Sequence, residues 1–461
     1  MDEETNIPVE SRARVEVDAE LVTNIEALIG SDRRAMVLNI VADLHEADAA
    51  VLLQRLPLES AGALFHWLDP EQAAEILPEL DDGLRASLLA DVGTARLAEF
   101  LGEMDTDDAA DMLAELPDAV ARQVLPNLDD AEALEVLLEY GEDTAGGIMG
   151  AEFVAVPKTW NVGEATEEVR RNADVVEPMY AVFVVDEKRR PVGAVSLKRL
   201  LLSPADALVY DVMDIDKVTV ETGLDQEEVA RVMERYDLVS LPVVDSAGVL
   251  LGRITIDDVV DVLREEAEED IQRMSGVSGG EEPSDSILSI SRGRIPWLFV
   301  GLAGAGMAAL VVSRYTEQLR EATVLAAFIP IVMAMAGNAG IQSSAIAVQG
   351  LASGEVWASD LLKRLAKETV VALLNGLILA LVLGVAVILI VGDPGVVRLA
   401  LTASLSLVAV VVMATTIGAI VPLVFHRIGV DPAIATGPFI TMTNDIISTL
   451  VFFLLATAIY L

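Results

Sequence analysis

The sequence predicts a multi-domain protein in which an all-α superhelical domain, an α/β domain pair and an acidic connecting helix precede a five-helix α transmembrane domain. Three observations predict this fold class. The first part of the chain is strongly acidic, it contains two different internal repeats, and five long apolar segments fill the last part. A length of 461 residues also favours more than one domain.

The charge of the chain changes abruptly near residue 290. The formal net charge is −42, yet residues 291–461 hold 9 Lys and Arg against 8 Asp and Glu. The other 22 basic and 65 acidic residues all lie in residues 1–290. Because Met1 to Glu20 lack the apolar core of a signal peptide, we expect the acidic part to stay in the cytoplasm.

Composition disfavours several kinds of site. The chain has no cysteine and therefore no disulfide or thiolate metal site. Its three histidines (His45, His66 and His426) are scattered, which disfavours a zinc or copper site and leaves hard oxygen ligands. No P-loop, HExxH motif or nucleophile–base pair is visible, so we do not expect an enzyme. We also expect no nucleic-acid partner.

Residues 1–20 are predicted to form a mobile tail, and residues 21–145 are predicted to form a helical superhelix. Short helices broken at Leu-Pro steps fill the second range, where one unit recurs. Each copy has an apolar residue, then acidic or N-cap residues, then an amphipathic helix. The copies begin at Leu44, Leu68, Met104 and Leu128. This pattern is typical of stacked helical hairpins.

Residues 146–262 contain a second repeat, in which strands alternate with helices. Phe183-Val-Val-Asp186 matches Pro242-Val-Val-Asp245, and Gly193-Ala-Val-Ser-Leu197 matches Gly252-Arg-Ile-Thr-Ile256. Such a pattern favours small sheets covered by helices. The two copies together resemble a tandem pair of CBS domains.

In CBS domains a Ser or Thr followed three residues later by Asp often contacts a nucleotide ribose. Thr255 and Asp258 keep this pair, whereas the first copy has Ser196 and Arg199. The resemblance therefore implies a site for ATP or another adenine nucleotide in the second copy only. A plain helix cap by Thr255 is the alternative.

Residues 256–290 are predicted to form the acidic connecting helix and a linker, with a break at Ser275-Gly-Val-Ser-Gly-Gly280. Residues 291–461 should form the transmembrane domain. Its five apolar spans are long enough to cross a bilayer; they are 295–313, 322–350, 369–391, 396–424 and 432–461. Basic residues at their ends predict a plasma-membrane protein with its N-terminus in the cytoplasm and its C-terminus outside.

The fifth span contains an acidic residue, Asp445. It lies 14 residues after Asp431, about 21 Å along a helix, and so well inside the hydrocarbon. A carboxylate there costs about 2.5–3.5 kcal/mol on insertion scales and usually faces an ion path. Gly437 and Thr441 share its helix face, which predicts a cation site. The alternative is a protonated Asp445 hydrogen-bonded to a neighbouring helix.

The second span is polar around Gly337-Asn-Ala-Gly-Ile-Gln342. Asn338 and Gln342 lie one helical turn apart and can present two amide oxygens on one face. With Asp445 they would form an oxygen-rich site suited to a hard dication that keeps part of its water shell. Close helix packing with interhelical hydrogen bonds is the alternative.

Together these features resemble the MgtE family of magnesium channels. The resemblance covers most of the chain and rests on Gly337-Asn-Ala-Gly-Ile-Gln342, on Asp431-Pro-Ala433 with Pro438 and Asp445, and on Glu269-Asp270-Ile271. It implies a homodimer in the lipid bilayer, with Asp445 of both subunits facing an ion path on the two-fold axis and the connecting helices acting as a magnesium-controlled plug. The predicted pore residues for Mg²⁺ are Gly337, Asn338, Gln342, Asp431, Gly437, Thr441 and Asp445, of which Gly437 would offer only its carbonyl.

Repulsion among acidic side chains suggests how such a protein is gated. At low internal Mg²⁺ the opposed carboxylates repel and spread apart, whereas bound Mg²⁺ would bridge them and let the plug close. The candidate bridging residues are Asp225, Glu227, Asp237, Asp258, Asp261, Glu269 and Asp270, the last two taken partly from the family resemblance.

Other interpretations remain open. The acidic surface also fits adaptation to a salt-rich cytoplasm, because the chain has only six lysines against 25 arginines. The same pore would suit an exporter or facilitator of another dication such as Co²⁺ or Mn²⁺. A membrane-bound CBS sensor that transports nothing is a further alternative, and it predicts that Asp445→Asn leaves function intact.

Overall fold

The protein is described by a computed structural model that covers residues 17–173, 175–176, 178–215, 218–281, 286–352, 361–391 and 395–461. The chain forms two compact units, residues 1–264 and residues 265–461. Most of the predicted mobile tail, residues 1–16, lies outside the described residues.

Ten short helices, α1 to α10, form the first part of the chain. Side-chain caps begin several of them, and Asp69 and Asp81 each accept a hydrogen bond at 2.9 Å from the backbone N–H three residues later. The four predicted repeat helices, α3, α5, α8 and α10, start two or three residues after the apolar residue of each unit. The helices are Ala19–Gly30, Arg34–Ala42, Glu46–Arg55, Leu58–Phe65, Pro70–Ile76, Asp82–Ala90, Thr94–Leu101, Thr106–Glu115, Asp118–Val124 and Ala131–Leu137, with a 3₁₀ turn at Leu125–Asn127.

Two three-stranded sheets of identical topology follow. In each, the first strand pairs parallel with the second, and the second pairs antiparallel with the third. The strands β1 to β6 are Ala155–Pro157, Ala181–Val185, Pro191–Ser196, Val220–Glu221, Ser240–Val244 and Leu250–Thr255. The helices α11 to α14 are Val162–Arg171, Leu197–Leu202, Val209–Val212 and Gln226–Arg235. Gly193 faces Val184 and Gly252 faces Val243, so the repeat seen in the sequence is also a structural repeat.

The superhelix shares its hydrophobic core with the second sheet. Leu134 and Leu137 of α10 belong to the same buried cluster as Val229, Met233 and Ile254. The first sheet has a separate core. Because apolar burial is the main source of stability, the superhelix should be attached more firmly to the second α/β copy than to the first.

The connecting helix α15 spans Ile256–Met274 and ends at the predicted break. Five helical segments among the described residues are long and apolar enough to cross a membrane, as predicted. Their helices are α16 (Ile287–Arg314), α18 (Ile329–Ala352), α19 (Leu361–Ile390), α20 (Val396–Arg427) and α21 (Pro438–Ile459). A short helix α17 (Thr316–Glu321) and a 3₁₀ turn (Thr323–Phe328) lead into α18, and a 3₁₀ turn (Ala433–Ala435) precedes α21. The most buried of the five, α20, packs against α18, α19 and α21.

Candidate functional site

The helix that carries Asp445, α21, begins at Pro438. Pro438 occupies its first turn, where a missing N–H costs nothing. Asp445 lies about two turns further on and is half-buried. Its backbone carbonyl accepts hydrogen bonds from the hydroxyls of Thr449 at 2.7 Å and Ser448 at 3.3 Å. Among the described residues no cation pairs with its carboxylate, which leaves both oxygens free for a ligand.

The two helices that carry the predicted pore residues, α18 and α21, run antiparallel in a fixed register. Three contacts define it, the first of them made by Thr436 just before α21, and each is displaced by four residues from the previous one along both segments. The pairs are Ser344–Thr436, Gly340–Ile440 and Ala336–Asn444. Along this register Asn338 lies about 5 Å from the level of Asp445, towards the start of α21, and Gln342 lies about 10 Å away.

The predicted pore residues on α18 are not equally exposed. Asn338 and Gln342 are exposed in the single chain, whereas Gly337 is buried. The two amide side chains therefore share one uncovered face of α18, which differs from the face at Ala336, Gly340 and Ser344 that contacts α21 and the turn before it. The role of these residues as cation ligands stays a prediction.

Asp431 lies at the start of the fifth span, and its carboxylate has partners within the protein. Its carboxylate pairs with Arg273 of the connecting helix and accepts a hydrogen bond from Ala433 N at 2.7 Å. Arg273 also pairs with Glu269, one turn earlier on α15. Asp270, its predicted regulatory neighbour, is half-buried. These contacts indicate that Asp431 and Glu269 hold the end of the connecting helix.

The end of the connecting helix also touches Gly437. A Cβ atom on Gly437 would lie 2.8 Å from the carbonyl oxygen of Met274, and a Cβ atom on Gly276 would lie 2.6 Å from Pro438. The carbonyl of Gly437, predicted as a cation ligand, accepts hydrogen bonds from the N–H and the hydroxyl of Thr441, both at 3.2 Å. It is therefore occupied in this conformation.

A second candidate site lies in the first unit, at the N-terminus of α8. Glu152 accepts hydrogen bonds from the N–H of Thr106 at 3.0 Å and from its hydroxyl at 2.9 Å, which joins the superhelix to the segment before β1. A Cβ atom on Gly150 would lie 3.3 Å from Asp107 Oδ2 and 3.1 Å from Glu152 Oε2. Two carboxylates thus meet above this glycine.

The carboxylates of this cluster are poorly compensated. Burial and, next, the charges of Asp258 and Asp108 raise the pKa of Asp107 well above its usual range. Burial raises the pKa of Asp108 to about 7 and that of Asp258 to about 6. The N-terminal end of α8 favours negative charge, but this effect offsets only part of the repulsion among the carboxylates. A cation or a proton would therefore relieve repulsion here.

Among the residues that the structure describes, no three Asp, Glu or His side chains are placed to hold a metal ion together. The cluster is thus not a preformed cage. Mg²⁺ keeps several waters and commonly uses one or two protein carboxylates, so a pair suffices to attract it.

Of the predicted regulatory residues, Asp258 and Asp261 belong to this cluster, since both act electrostatically on Asp108. The others in the first unit have local contacts. Asp225 caps α14 by accepting from Glu227 N at 3.0 Å, and Glu227 pairs with Arg231 at 2.6 Å. Asp237 follows α14 with a left-handed φ of 51°.

The two residues of the predicted nucleotide site, Thr255 and Asp258, are hydrogen-bonded to each other. Both the N–H and the hydroxyl of Thr255 donate to Asp258 Oδ2, each at 2.8 Å, at the start of α15. Asp258 is the acceptor in both contacts, so they do not decide between the nucleotide site and a cap by Thr255. A cavity of about 540 Å³ lies instead beside the first sheet. It is lined by Val169, Ala173, Val176, Pro178, Met179 and Leu197, and Arg253 donates to the carbonyl of Pro178 at 2.7 Å.

Comparison with known proteins gives the family. Family models match residues 44–143 (MgtE intracellular N domain), 145–206 and 209–265 (CBS domain) and 329–455 (MgtE, divalent cation transporter). The magnesium transporter MgtE of Enterococcus faecalis is 35% identical over 322 residues, which is 70% of this chain and 70% of that protein. This chain belongs to the MgtE family. The expectation that it is not an enzyme is thereby confirmed.

Other MgtE proteins agree with this assignment. The magnesium transporter MgtE of Thermus thermophilus is 35% identical over 318 residues, 68% of this chain and 70% of that protein. A solved structure of the cytosolic domain of the Mg²⁺ channel MgtE in complex with ATP is 37% identical. It covers 52% of this chain and 99% of its own, with a TM-score of 0.50.

Sequence reasoning missed several polar contacts of this MgtE-family chain. Asp107 and Asp108 fall in the helical repeat and Glu152 falls in the predicted α/β pair, although an acidic run at a helix start is visible at Asp107 and Asp108. Asn444 stands directly beside Asp445, and an amide inside an apolar span is itself a signal. Glu368, near the start of the third span, accepts from Ser343 Oγ at 3.3 Å.

Proposed function

We propose that this MgtE-family protein transports Mg²⁺ through a pore that closes when cytoplasmic Mg²⁺ binds its acidic domains. The observation that carries the proposal is the placement of Asp445. A half-buried carboxylate inside an apolar helix, without a cationic partner among the described residues, is unfavourable unless a cation visits it. The names of the relatives, magnesium transporters and a Mg²⁺ channel, support Mg²⁺ as the cation.

The pore would use hydrated Mg²⁺ rather than a stripped ion. Asn338 and Gln342 lie along one helix face within about 10 Å of the level of Asp445, so their amide oxygens can accept from the water shell in succession. Asp445 would supply the charge that favours a dication. Gly337, Gly437 and Thr441 would leave room beside this path, and Asp431 would act at its entrance through Arg273.

Transport is tested by ²⁸Mg²⁺ or dye-reported Mg²⁺ uptake into liposomes. We expect Asp445→Ala and Asp445→Asn to reduce uptake to the level of empty vesicles. Glu317→Gln, which removes an exposed charge beside the first span, is the matched control and should retain full uptake. Wild-type uptake no greater than that of empty vesicles would favour the non-transporting sensor, and undiminished uptake by Asp445→Asn would show that Asp445 does not lie on the ion path.

A homodimer would complete the pore. Exposed amides such as Asn338 and Gln342 are unfavourable against lipid, so a second copy of the same face is the natural cover. Because the chain has no cysteine, Asn338→Cys can be oxidised in membranes without interference. We expect a disulfide-linked dimer, and none for Leu381→Cys, which is exposed on the third span. Equal cross-linking of both variants would contradict this arrangement.

Closure by cytoplasmic Mg²⁺ would act through the acidic cluster at α8 and through the connecting helix. Mg²⁺ bound near Asp107 and Asp258 would remove the repulsion between the superhelix and the second α/β copy. The connecting helix begins with the turn that carries Asp258, so the same segment would transmit the change towards the membrane helices. With the acidic domains in the cytoplasm, five spans would put the C-terminus outside the cell.

We further propose that the CBS pair binds ATP, as its ATP-bound relative does. The cavity beside the first sheet is apolar enough for an adenine, whereas the hydroxyl of Thr255 is already donated to Asp258. Binding of a fluorescent ATP analogue separates the two locations. Met179→Trp should abolish binding if the cavity holds the base, and Thr255→Val should abolish it if the ribose lies at the second copy.

A further inference from the structure

Asn444 of α21 is fully buried against α18 although it stands next to Asp445. Its Nδ2 donates to the backbone carbonyl of Ala336 at 3.2 Å. A carbonyl can only accept, so the nitrogen of this amide must face Ala336 and the oxygen must point elsewhere. The contact therefore joins the helix of Asp445 to the polar segment that contains Asn338.

The rest of the amide is not satisfied. Asn444 Oδ1 has no hydrogen-bond partner within the described part of the chain and is inaccessible to solvent. A buried unpaired amide oxygen is unfavourable, and an interhelical hydrogen bond in a membrane contributes little to stability on average. Stability alone would thus favour an apolar residue at this position.

The neighbouring helices are shaped around this side chain. A Cβ atom on Gly340 would overlap Asn444 Nδ2, and a Cβ atom on Gly418 of α20 would overlap the carbonyl oxygen of Gly340. Helices α20 and α21 therefore both come close to α18 at Gly340. Small residues at such crossings allow close backbone approach, which here brings the amide within reach of Ala336.

We propose that Asn444 is a positioning residue that fixes the distance between Asp445 and Asn338 and thereby sets the affinity and selectivity of the cation path. Adjacent Cα atoms are about 3.8 Å apart, so any sliding or rotation of α21 at Asn444 moves Asp445 with it. Apolar contacts between the two helices tolerate small rotations and shifts. The hydrogen bond from Asn444 to Ala336 depends on direction and therefore restricts them. The inference rests on the proposed transport function.

The test compares Asn444→Ala and Asn444→Val, which both remove the donor but leave different amounts of empty space. Mg²⁺ uptake by full-length protein in liposomes is measured over a range of Mg²⁺ concentrations and then with Ca²⁺ as the competing ion. Thr402→Val is the matched control, because Thr402 is equally buried in α20 but its hydroxyl bonds within its own helix, to Arg398 O at 2.9 Å.

We expect both Asn444 variants to raise the half-saturating Mg²⁺ concentration about 10-fold, the lower end of the effect of residues that orient metal ligands. Discrimination against Ca²⁺ should weaken in parallel, and Thr402→Val should match the wild type. If the half-saturating concentration and the Ca²⁺ discrimination stay within twofold of wild type, Asn444 only packs and the proposal is wrong.

Asp445→Asn is measured alongside to separate this inference from the proposed function. Loss of uptake in Asp445→Asn with unchanged Asn444 variants would overturn the positioning role alone. Wild-type uptake no greater than that of empty vesicles would overturn the transport proposal, and undiminished uptake in Asp445→Asn would overturn the role of Asp445 on the ion path and the positioning role with it.

Discussion

At the scale of single residues, Asp107 is a carboxylate in a position that is unfavourable for the stability of the protein. It is crowded by Asp258 and Asp108 and held where its charge is poorly solvated. Natural proteins tolerate such repulsion where a ligand relieves it. The residue is therefore better explained by cation binding than by the stability of the empty protein.

We expect Asp107→Asn to stabilise the Mg²⁺-free protein at pH 8 by about 1–3 kcal/mol, because the isosteric amide removes repulsion without leaving a cavity. The same change should reduce the stabilisation that Mg²⁺ adds. Thermal melting in chelator and in Mg²⁺ measures both effects. Glu103→Gln removes the same charge from an exposed position nearby and should change neither.

The raised pKa values predict a pH dependence in the Mg²⁺-free state. Burial raises the pKa of Asp108 to about 7 and that of Asp258 to about 6, so the folded state binds these protons more tightly than the unfolded chain. Stability should then fall as pH rises from about 4 to about 7. Melting followed by the fluorescence of Trp67 and Trp160 in chelator checks this. A rise in melting temperature over the same range would contradict it.

At the scale of elements, the end of the connecting helix is held by shape as well as by charge. Gly276 has a φ of +77° and touches Pro438, whereas Gly280 has the same φ but open space around it. Both positions disfavour a side chain for conformational reasons, at about 1–2 kcal/mol. They differ in whether a methyl group collides with the start of α21.

We therefore expect Gly276→Ala to displace the end of α15 and to leave a basal Mg²⁺ flux at high internal Mg²⁺, when the wild type is closed. Gly280→Ala, the matched control, should still close. Flux from vesicles loaded with Mg²⁺ measures this difference. If both alanine variants close normally, the contact with Pro438 does not contribute to closure.

Periodicity predicted these elements well, and it failed where contacts between elements decide the role of a side chain. The four repeat starts, the paired sheets and five spans follow from local patterns that a single sequence contains. That Asp107 approaches Gly150 and Glu152, 43 or more residues later, depends on tertiary packing that no local pattern encodes. Likewise, the exposure of Asn338 and the burial of Asn444 follow from helix register, which amphipathic patterns leave undetermined in apolar spans.

At the scale of the whole molecule, the acidic charge of residues 1–290 has two physical explanations. General repulsion among 65 acidic residues is screened by any salt, since the Debye length is about 8 Å at physiological ionic strength. Repulsion within the buried cluster at α8 is screened much less, because little water or salt reaches it. A specific dication effect must therefore persist when ionic strength is held constant.

Limited proteolysis of the full chain between residues 140 and 280 distinguishes these explanations. We expect millimolar Mg²⁺ to slow cleavage several-fold relative to KCl of equal ionic strength, because Mg²⁺ near Asp107 and Asp258 holds the superhelix on the second α/β copy. In Asp107→Asn the difference between the two salts should shrink, while high KCl still protects the remaining acidic surface. Equal protection by both salts in the wild type would mean that the charge reflects salt adaptation alone and that the cluster at α8 senses no Mg²⁺.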